Sequence, residues 1–144
     1  MALSYKIECA PVSFDESFQA FFENFYRISD DPTANNEYVK QFTENATLIM
    51  ASKRLTGSSE IQTFRQGMWE KIGSRHHKAA KLFPYGSNAS EAMLYGTVDY
   101  VLKDGQEING VEWAARAHLV KEGDAVKMDF YQVYLDSAAQ KPPK

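Results

Sequence analysis

Two basic side chains stand two positions apart in a mainly apolar stretch: Arg116 and His118 lie in the segment EWAARAHLV. Side chains alternate between the two faces of a β-strand, so these two share a face, beside alanines that leave room around them. If that face lines a pocket, the planar guanidinium of Arg116 can bind a carboxylate, enolate or phenolate oxygen. If the face meets solvent, Arg116 pairs with a carboxylate on a neighbouring strand, Asp99 or Asp129. Both interpretations stay open.

His76 and His77 are adjacent in the segment SRHHKAAKLF, so on a strand one of them faces inward in any register. Histidine titrates near neutral pH and is the commonest general acid or base. The alternative is a hydrogen-bonded residue in the wall of a pocket. Neighbouring histidines on a strand cannot both aim at one ion, and no cysteine or carboxylate cluster joins them, so we expect no metal site.

A set of aromatic side chains is expected to line either the core or a pocket, where their hydroxyl and indole groups could contact a flat ligand. Each taken singly is more often a core residue. The set comprises Tyr26, Trp69, Tyr100, Tyr131 and Tyr134.

Composition bounds the class of protein. A chain of 144 residues is the usual size of one domain, and a net charge of −3 argues against nucleic acid as the main partner. The apolar runs are too short for a membrane span. Cys9 is the only cysteine, which excludes an intrachain disulfide, and the N-terminal stretch lacks the pattern of a signal peptide. These features predict an intracellular, cytoplasmic protein.

The first half of the chain predicts helices. Ser13 and Glu16 form a capping box, and aromatic residues at helical spacing predict a helix over residues 14–29. The sequence Asp30-Asp31-Pro32 ends it, which makes Asp30 a turn residue at the helix end. A shorter helix around Tyr38, a strand over residues 46–52 and a third helix after Gly57 follow.

From Ser74 onward the pattern predicts strands rich in β-branched and aromatic residues, separated by turn signals. Residues 91–135 should form three antiparallel strands. Helices followed by a meander predict an α+β fold, with three N-terminal helices on one face of a curved antiparallel sheet. We expect an arm at residues 1–13, one domain at residues 14–136 and a frayed tail at residues 137–144.

Four local features carry a likeness to a known family: Phe25-Tyr26 late in the first helix, Phe42-Thr43 before the first strand, Leu55-Thr56-Gly57 before the third helix, and the closing segment YQVYLD. With this order of elements, the chain resembles the SnoaL-like branch of the nuclear-transport-factor-2-like superfamily. The resemblance implies a cone-shaped sheet that encloses one pocket with the helices. It also implies chemistry by side-chain acids and bases without metal or organic cofactor. The same fold also serves transport adaptors and binding domains.

The resemblance also suggests roles for particular residues. By loose alignment with scytalone dehydratase, His77 corresponds to a pocket histidine and Arg116 to a ligand-contacting position, while Asp30 lies where the superfamily often places a pocket acid or tyrosine. That enzyme's second catalytic histidine and its paired tyrosine fall near Leu102 and Met50. A scytalone-type reaction is therefore not expected.

Together these observations predict a domain that binds a small, largely apolar, oxygenated molecule. If the protein is an enzyme, it is a cofactor-free isomerase, dehydratase or cyclase with His77 as acid or base and Arg116 as oxyanion anchor. The alternative is a non-catalytic binding or dimerisation module. An outer strand face carrying Trp113, Ala115, Ala117 and Leu119 would be too apolar to remain in water and predicts a homodimer.

Overall fold

The computed structural model describes residues 4–140. Its helices are α1 (Glu16–Ser29), α2 (Asn35–Lys40) and α3 (Ser58–Gly67). Its strands are β1 (Glu8–Cys9), β2 (Phe42–Met50), β3 (Lys53–Thr56), β4 (Ile72–Pro84), β5 (Glu91–Leu102), β6 (Glu107–Glu122) and β7 (Ala125–Leu135). No helix within residues 4–140 is long and apolar enough to cross a membrane.

The strands form one curved sheet of seven strands in the order β1-β4-β5-β6-β7-β2-β3. Strands β4 to β7 form an antiparallel meander, which confirms the predicted α+β class and the three antiparallel strands within residues 91–135. The sheet is mixed rather than purely antiparallel, because β1 runs parallel to β4 and β2 runs parallel to β7.

Helix α1 begins two residues later than the sequence predicted. Its N-cap is Asp15, not Ser13, because the Asp15 carboxylate accepts a hydrogen bond from the backbone N–H of Ser17 at 2.9 Å. One face of the helix is buried, as the aromatic spacing predicted. Each such side chain contributes about 1.5–3 kcal/mol through the removal of apolar surface from water. The buried aromatic residues are Phe18, Phe21, Phe22, Phe25 and Tyr26.

Strand β6 faces the opposite way from the prediction. The residues assigned to an outer, dimer-forming face are all buried, none more than 5% exposed: Trp113, Ala115, Ala117 and Leu119. They belong to the same core as the aromatic side chains of α1, and the Trp113 ring centroid lies 5.1 Å from that of Tyr26. The alanines therefore make room for rings on the inner face, and Arg116 and His118 lie on the outer face.

The N-terminal arm packs on the domain. Strand β1 pairs with Lys81 and Leu82 of β4. The Ile7 N–H donates to Glu23 Oε2 at 3.0 Å, and Gln19 Nε2 donates to the Ile7 carbonyl at 3.0 Å. The division into an arm at 1–13 and a domain at 14–136 stays a prediction. Of the predicted frayed tail, Ser137–Gln140 forms one turn of 3-10 helix, and residues 141–144 lie outside the described residues.

Candidate functional site

A cavity of about 620 Å³ opens between the inner face of the sheet and the helices, within the usual range for small-molecule sites. Its wall is mainly apolar. The apolar lining includes Phe25, Met50, Phe64, Met68, Val98, Leu102, Trp113 and Val133. The polar lining includes Ser29, Tyr38, Arg75, His77, Tyr100 and Tyr131.

His77 and Asp30 form a hydrogen-bonded pair at this wall. His77 Nδ1 lies 2.6 Å from Asp30 Oδ1, and the His77 backbone N–H donates to Asp30 Oδ2 at 2.7 Å. Helix α1 supplies Asp30 as its C-cap residue, and β4 supplies His77. Asp30 lies behind His77 rather than at the cavity surface. The resemblance suggested both residues for the pocket, while the sequence alone made Asp30 a turn residue; the structure pairs the two, with only His77 in the cavity lining.

Two further side chains complete the hydrogen bonding of Asp30. The Tyr5 hydroxyl donates to Oδ2 at 2.9 Å, and Arg75 Nε donates to Oδ1 at 3.2 Å. Burial opposes ionisation of this carboxyl, but the hydrogen bonds from His77 and the charge of Arg75 favour it, and the pKa of Asp30 is lowered. Asp30 is therefore an anion at neutral pH.

Burial lowers the pKa of His77, and the neighbouring Asp30 only partly offsets this effect. The imidazole is therefore neutral at pH 7. An ionised Asp30 accepts a hydrogen bond from Nδ1, so the proton of the neutral ring lies on Nδ1 and Nε2 keeps its lone pair. The rings of Tyr26 and Trp113 enclose the imidazole, with centroids 5.3 and 5.7 Å away. This geometry is suited to a general base.

The tyrosines predicted as ligand contacts divide into two groups. Tyr100 and Tyr131 line the cavity, whereas Tyr26 lies behind the wall and its hydroxyl is 2.9 Å from that of Tyr131. Burial raises the pKa of both Tyr26 and Tyr131, so both hydroxyls keep their protons. When Tyr26 donates to the Tyr131 oxygen, the Tyr131 O–H is available to a ligand.

Arg116 and His118 do not face the cavity, which corrects the prediction made from EWAARAHLV. Arg116 Nη1 lies 3.7 Å from Glu91 Oε2, and both side chains are more than two-fifths exposed. Its guanidinium carbon lies 4.4 Å from the centre of the Phe130 ring. His118 Nδ1 lies 2.7 Å from Asp129 Oδ1. The outward alternative therefore holds, with Glu91 instead of Asp99 or Asp129 as the partner of Arg116.

Two of the predicted aromatic contacts are also absent from the cavity wall. Tyr134 is 43% exposed on the outer face of the sheet, where its hydroxyl donates to Gln132 at 3.0 Å. Trp69 is buried beside the cavity, between the guanidinium groups of Arg65 and Arg75, whose carbons lie 5.2 and 4.7 Å from the centre of its ring. Trp69 therefore supports Arg75 instead of meeting a ligand.

Arg75, Ser29 and Trp113 line the cavity although the sequence had not indicated them. The signal for Arg75 was present, because it stands two positions before His77 and strand alternation puts both on one face. Within residues 4–140, no three His, Cys, Asp or Glu side chains gather into a set that could hold a metal ion.

No protein-family model matches the chain, and no curated protein matches it. Several solved structures are similar to it. A candidate aromatic ring hydroxylase from Novosphingobium aromaticivorans has a TM-score of 0.71 and 16% identity, covering 83% of this chain and 86% of that one. A candidate scytalone dehydratase from the same organism has a TM-score of 0.68 and 13% identity, covering 83% and 82%.

Nuclear transport factor 2 from Cryptosporidium parvum is similar as well, with a TM-score of 0.66 and 14% identity, covering 85% of this chain and 94% of that one. Identities this low carry the fold and not the activity. These structures confirm the resemblance at the level of architecture: the chain has the fold of the nuclear-transport-factor-2-like superfamily.

Proposed function

We propose that the cavity binds a small, largely apolar, oxygenated molecule and that His77, oriented by Asp30, moves a proton on it. The observation that carries the proposal is the 2.6 Å contact between His77 Nδ1 and Asp30 Oδ1 at the wall of an apolar cavity. Structures of the same fold include a candidate dehydratase and a candidate hydroxylase, which supports small-molecule chemistry in this architecture.

The proposed step begins with removal of a proton next to a carbonyl group. The neutral His77 accepts the proton on Nε2, and the anionic Asp30 stabilises the imidazolium that forms. Negative charge then develops on the carbonyl oxygen, and the Tyr131 hydroxyl donates a hydrogen bond to it. Isomerisation, dehydration and cyclisation can all start in this way. The step needs no metal or organic cofactor.

The alternative is a binding module without catalysis, and one observation favours it. Met50 and Leu102 line the cavity at the positions where the resemblance expected a tyrosine and a second histidine. His77 is therefore the sole histidine of the cavity wall among the described residues. A second acid or base would have to come from a tyrosine or from the substrate.

Hydrogen–deuterium exchange of a simple ketone tests the proposal without knowledge of the natural substrate. 2-Tetralone in D₂O exchanges the acidic protons beside its carbonyl, and NMR follows their loss. We expect the wild-type protein to accelerate this exchange, and His77→Gln to lower the acceleration by at least about 100-fold, the usual contribution of a general base.

His118→Gln is the matched control. His118 is also bonded to an aspartate, at 2.7 Å, but on the outer face of the sheet. Its variant should exchange the ketone as fast as the wild type. Equal loss in the two variants would contradict the role of His77, and binding of the ketone without any exchange would establish the non-catalytic alternative.

We also propose a homodimer through the outer face of the sheet, on residues other than those first predicted. Four large apolar side chains there are 41–44% exposed: Phe83, Met93, Tyr95 and Tyr134. Charged groups of both signs, including Arg116 and Glu91, lie beside them, so two copies of the face can be complementary. A cytoplasmic location stays a prediction from the single cysteine and the pattern of the N-terminal stretch.

A further inference from the structure

Nη1 of Arg75 carries hydrogen-bond donors that have no strong acceptor in the protein. Its side chain is only 6% exposed, and it lines the cavity two positions before His77. Nε donates to Asp30 Oδ1 at 3.2 Å, and Nη2 donates to the Ser29 carbonyl and to Ser29 Oγ. Nη1 has only Met68 Sδ, at 3.8 Å. A thioether is a weak acceptor, so the two N–H groups of Nη1 lack a strong partner.

The charges around Arg75 are also unbalanced. Arg65 is fully buried beside it, and its guanidinium donates to the main-chain carbonyls of Ile28, Ser29 and Asp31 and to the side-chain oxygen of Asn35. Among the described residues, Asp30 is the sole carboxylate in ion-pair contact with either guanidinium. Of the two guanidinium groups, Asp30 thus pairs with that of Arg75 alone, and the second buried cation, Arg65, relies on helix-end carbonyls and Asn35.

We infer that the cavity selects acidic ligands: an apolar, flat molecule that carries a carboxylate or another ionised oxygen, bound by Nη1 of Arg75. The inference rests on the proposed function in using the same cavity. It gives Arg75 the anchoring role that the sequence had suggested for Arg116. Because Arg75 and His77 bind the same oxygen of Asp30, an anion held by Arg75 lies next to the proposed base.

Burial makes this anchor effective. A guanidinium that already lies in a low-dielectric site needs little further desolvation to bind an anion, and its attraction is screened less than that of an exposed charge. Helix α1 and Trp69 fix the group in place, through the bonds to Ser29 and Asp30 and the ring contact at 4.7 Å. The site is therefore organised before any ligand arrives.

The test compares 2-naphthoate with 2-naphthamide, which have nearly the same shape but differ in charge. Quenching of tryptophan fluorescence can report binding, because Trp113 lines the cavity. We expect the wild type to bind the acid at least about tenfold more tightly than the amide, the scale of one charged hydrogen bond. Arg75→Gln should reduce this ratio to near unity, and circular dichroism checks that the variant is folded.

Arg116→Gln is the matched control, since it removes the same charge from the outer face and should keep the wild-type ratio. Equal binding of acid and amide by the wild type would overturn the inference and leave the proposed function standing. This comparison uses the wild-type protein alone, so it does not depend on the folding of a variant. A ratio preserved in folded Arg75→Gln would overturn it as well. Failure of both probes to bind would instead overturn the proposed function.

Discussion

Asp30 has two structural roles, one for its backbone and one for its side chain. Its backbone N–H donates to the Tyr26 carbonyl at 3.1 Å and ends helix α1, while its carboxylate accepts hydrogen bonds from His77, Arg75 and Tyr5. A buried carboxylate is costly unless such donors satisfy it. These donors keep the Asp30 carboxylate ionised. Through it, the C-terminal end of α1 sets both the tautomer and the orientation of His77 on β4.

This arrangement predicts how His77 titrates. Its pKa is lowered, chiefly by burial, so an NMR titration of the imidazole should give a midpoint below 6.5. Nitrogen-15 shifts at pH 7 should show the proton on Nδ1. In Asp30→Asn the midpoint should fall further, because the carboxylate raises it. A midpoint above 6.5, or a proton on Nε2, would contradict the proposed base.

The same shift predicts how stability depends on pH. A histidine that binds its proton less readily when folded contributes its full stability above pH 6.5, and that contribution is lost as the pH falls through the lower folded value. Thermal unfolding should therefore show a decline in Tm below pH 6.5 that is weaker in His77→Gln than in the wild type. The pKa of Asp30 is also lowered, so a further decline should begin below about 3.8.

Arg75 was missed from the sequence although it follows strand alternation, the same rule that was applied to Arg116 and His118. Strand alternation puts Arg75 with His77 as surely as it puts Arg116 with His118. What alternation alone cannot supply is the choice of face. Large apolar residues such as Trp113 and Leu119 occur both in buried cores and in dimer interfaces, so their type does not decide between the two. The face of β6 that turns inward is decided by the aromatic side chains of α1, which pack against its alanines.

At the scale of elements, one glycine permits the close approach of β4 and β5. A Cβ atom at Gly96 would lie 2.1 Å from the Lys78 carbonyl oxygen and 2.8 Å from Ala79 Cα, both backbone atoms that cannot move aside cheaply. The register of the two strands shifts between Ala79 and Lys81, next to this contact. Gly96 therefore accommodates an irregularity in β4, the strand that carries Arg75 and His77.

Gly96→Ala should thus destabilise the protein by roughly 3 kcal/mol or more, at the upper end of overpacking effects. Urea denaturation measures the change. Gly67→Ala is the control, because a Cβ there meets nothing within 4 Å, and it should leave stability unchanged or raise it by up to about 1 kcal/mol. Similar unfolding midpoints for the two variants would show that the strands separate easily at Gly96.

Elements were more predictable than their relative placement. Helical spacing of aromatic residues indicated α1, and turn signals separated the strands, because both are local patterns. Alternation then orders the faces within a strand: Leu94, Val98 and Tyr100 of β5 lie at even spacing and are all at most 5% exposed. Shifts in register between Ile72 and Ser74 and between Ala79 and Lys81 could not be predicted, since bulges depend on the partner strand.

For the whole molecule, the outer face of the sheet is the surface left to explain. Register places Tyr95, Ala114 and Tyr134 in one row across β5, β6 and β7, and Phe83, Met93, Arg116 and Gln132 in the next. The Phe83 and Tyr95 rings stack with centroids 6.0 Å apart. Exposed apolar side chains gathered on one face of the sheet, with the Arg116–Glu91 ion pair beside them, fit the proposed interface.

A homodimer through this face predicts that charge at its centre separates the subunits. Met93 and Tyr95 are 41% and 44% exposed, so Met93→Glu with Tyr95→Glu should leave the fold intact and place two like charges opposite two more across a two-fold axis. Sedimentation at concentrations on the order of tens of micromolar should then show dimer for the wild type and monomer for the double variant. Tyr85→Glu is the control, since Tyr85 is 87% exposed in the turn after β4 and should not affect assembly. Wild-type protein that sediments as a monomer would contradict the homodimer, and the cavity on the opposite side of the sheet would then act without a second subunit.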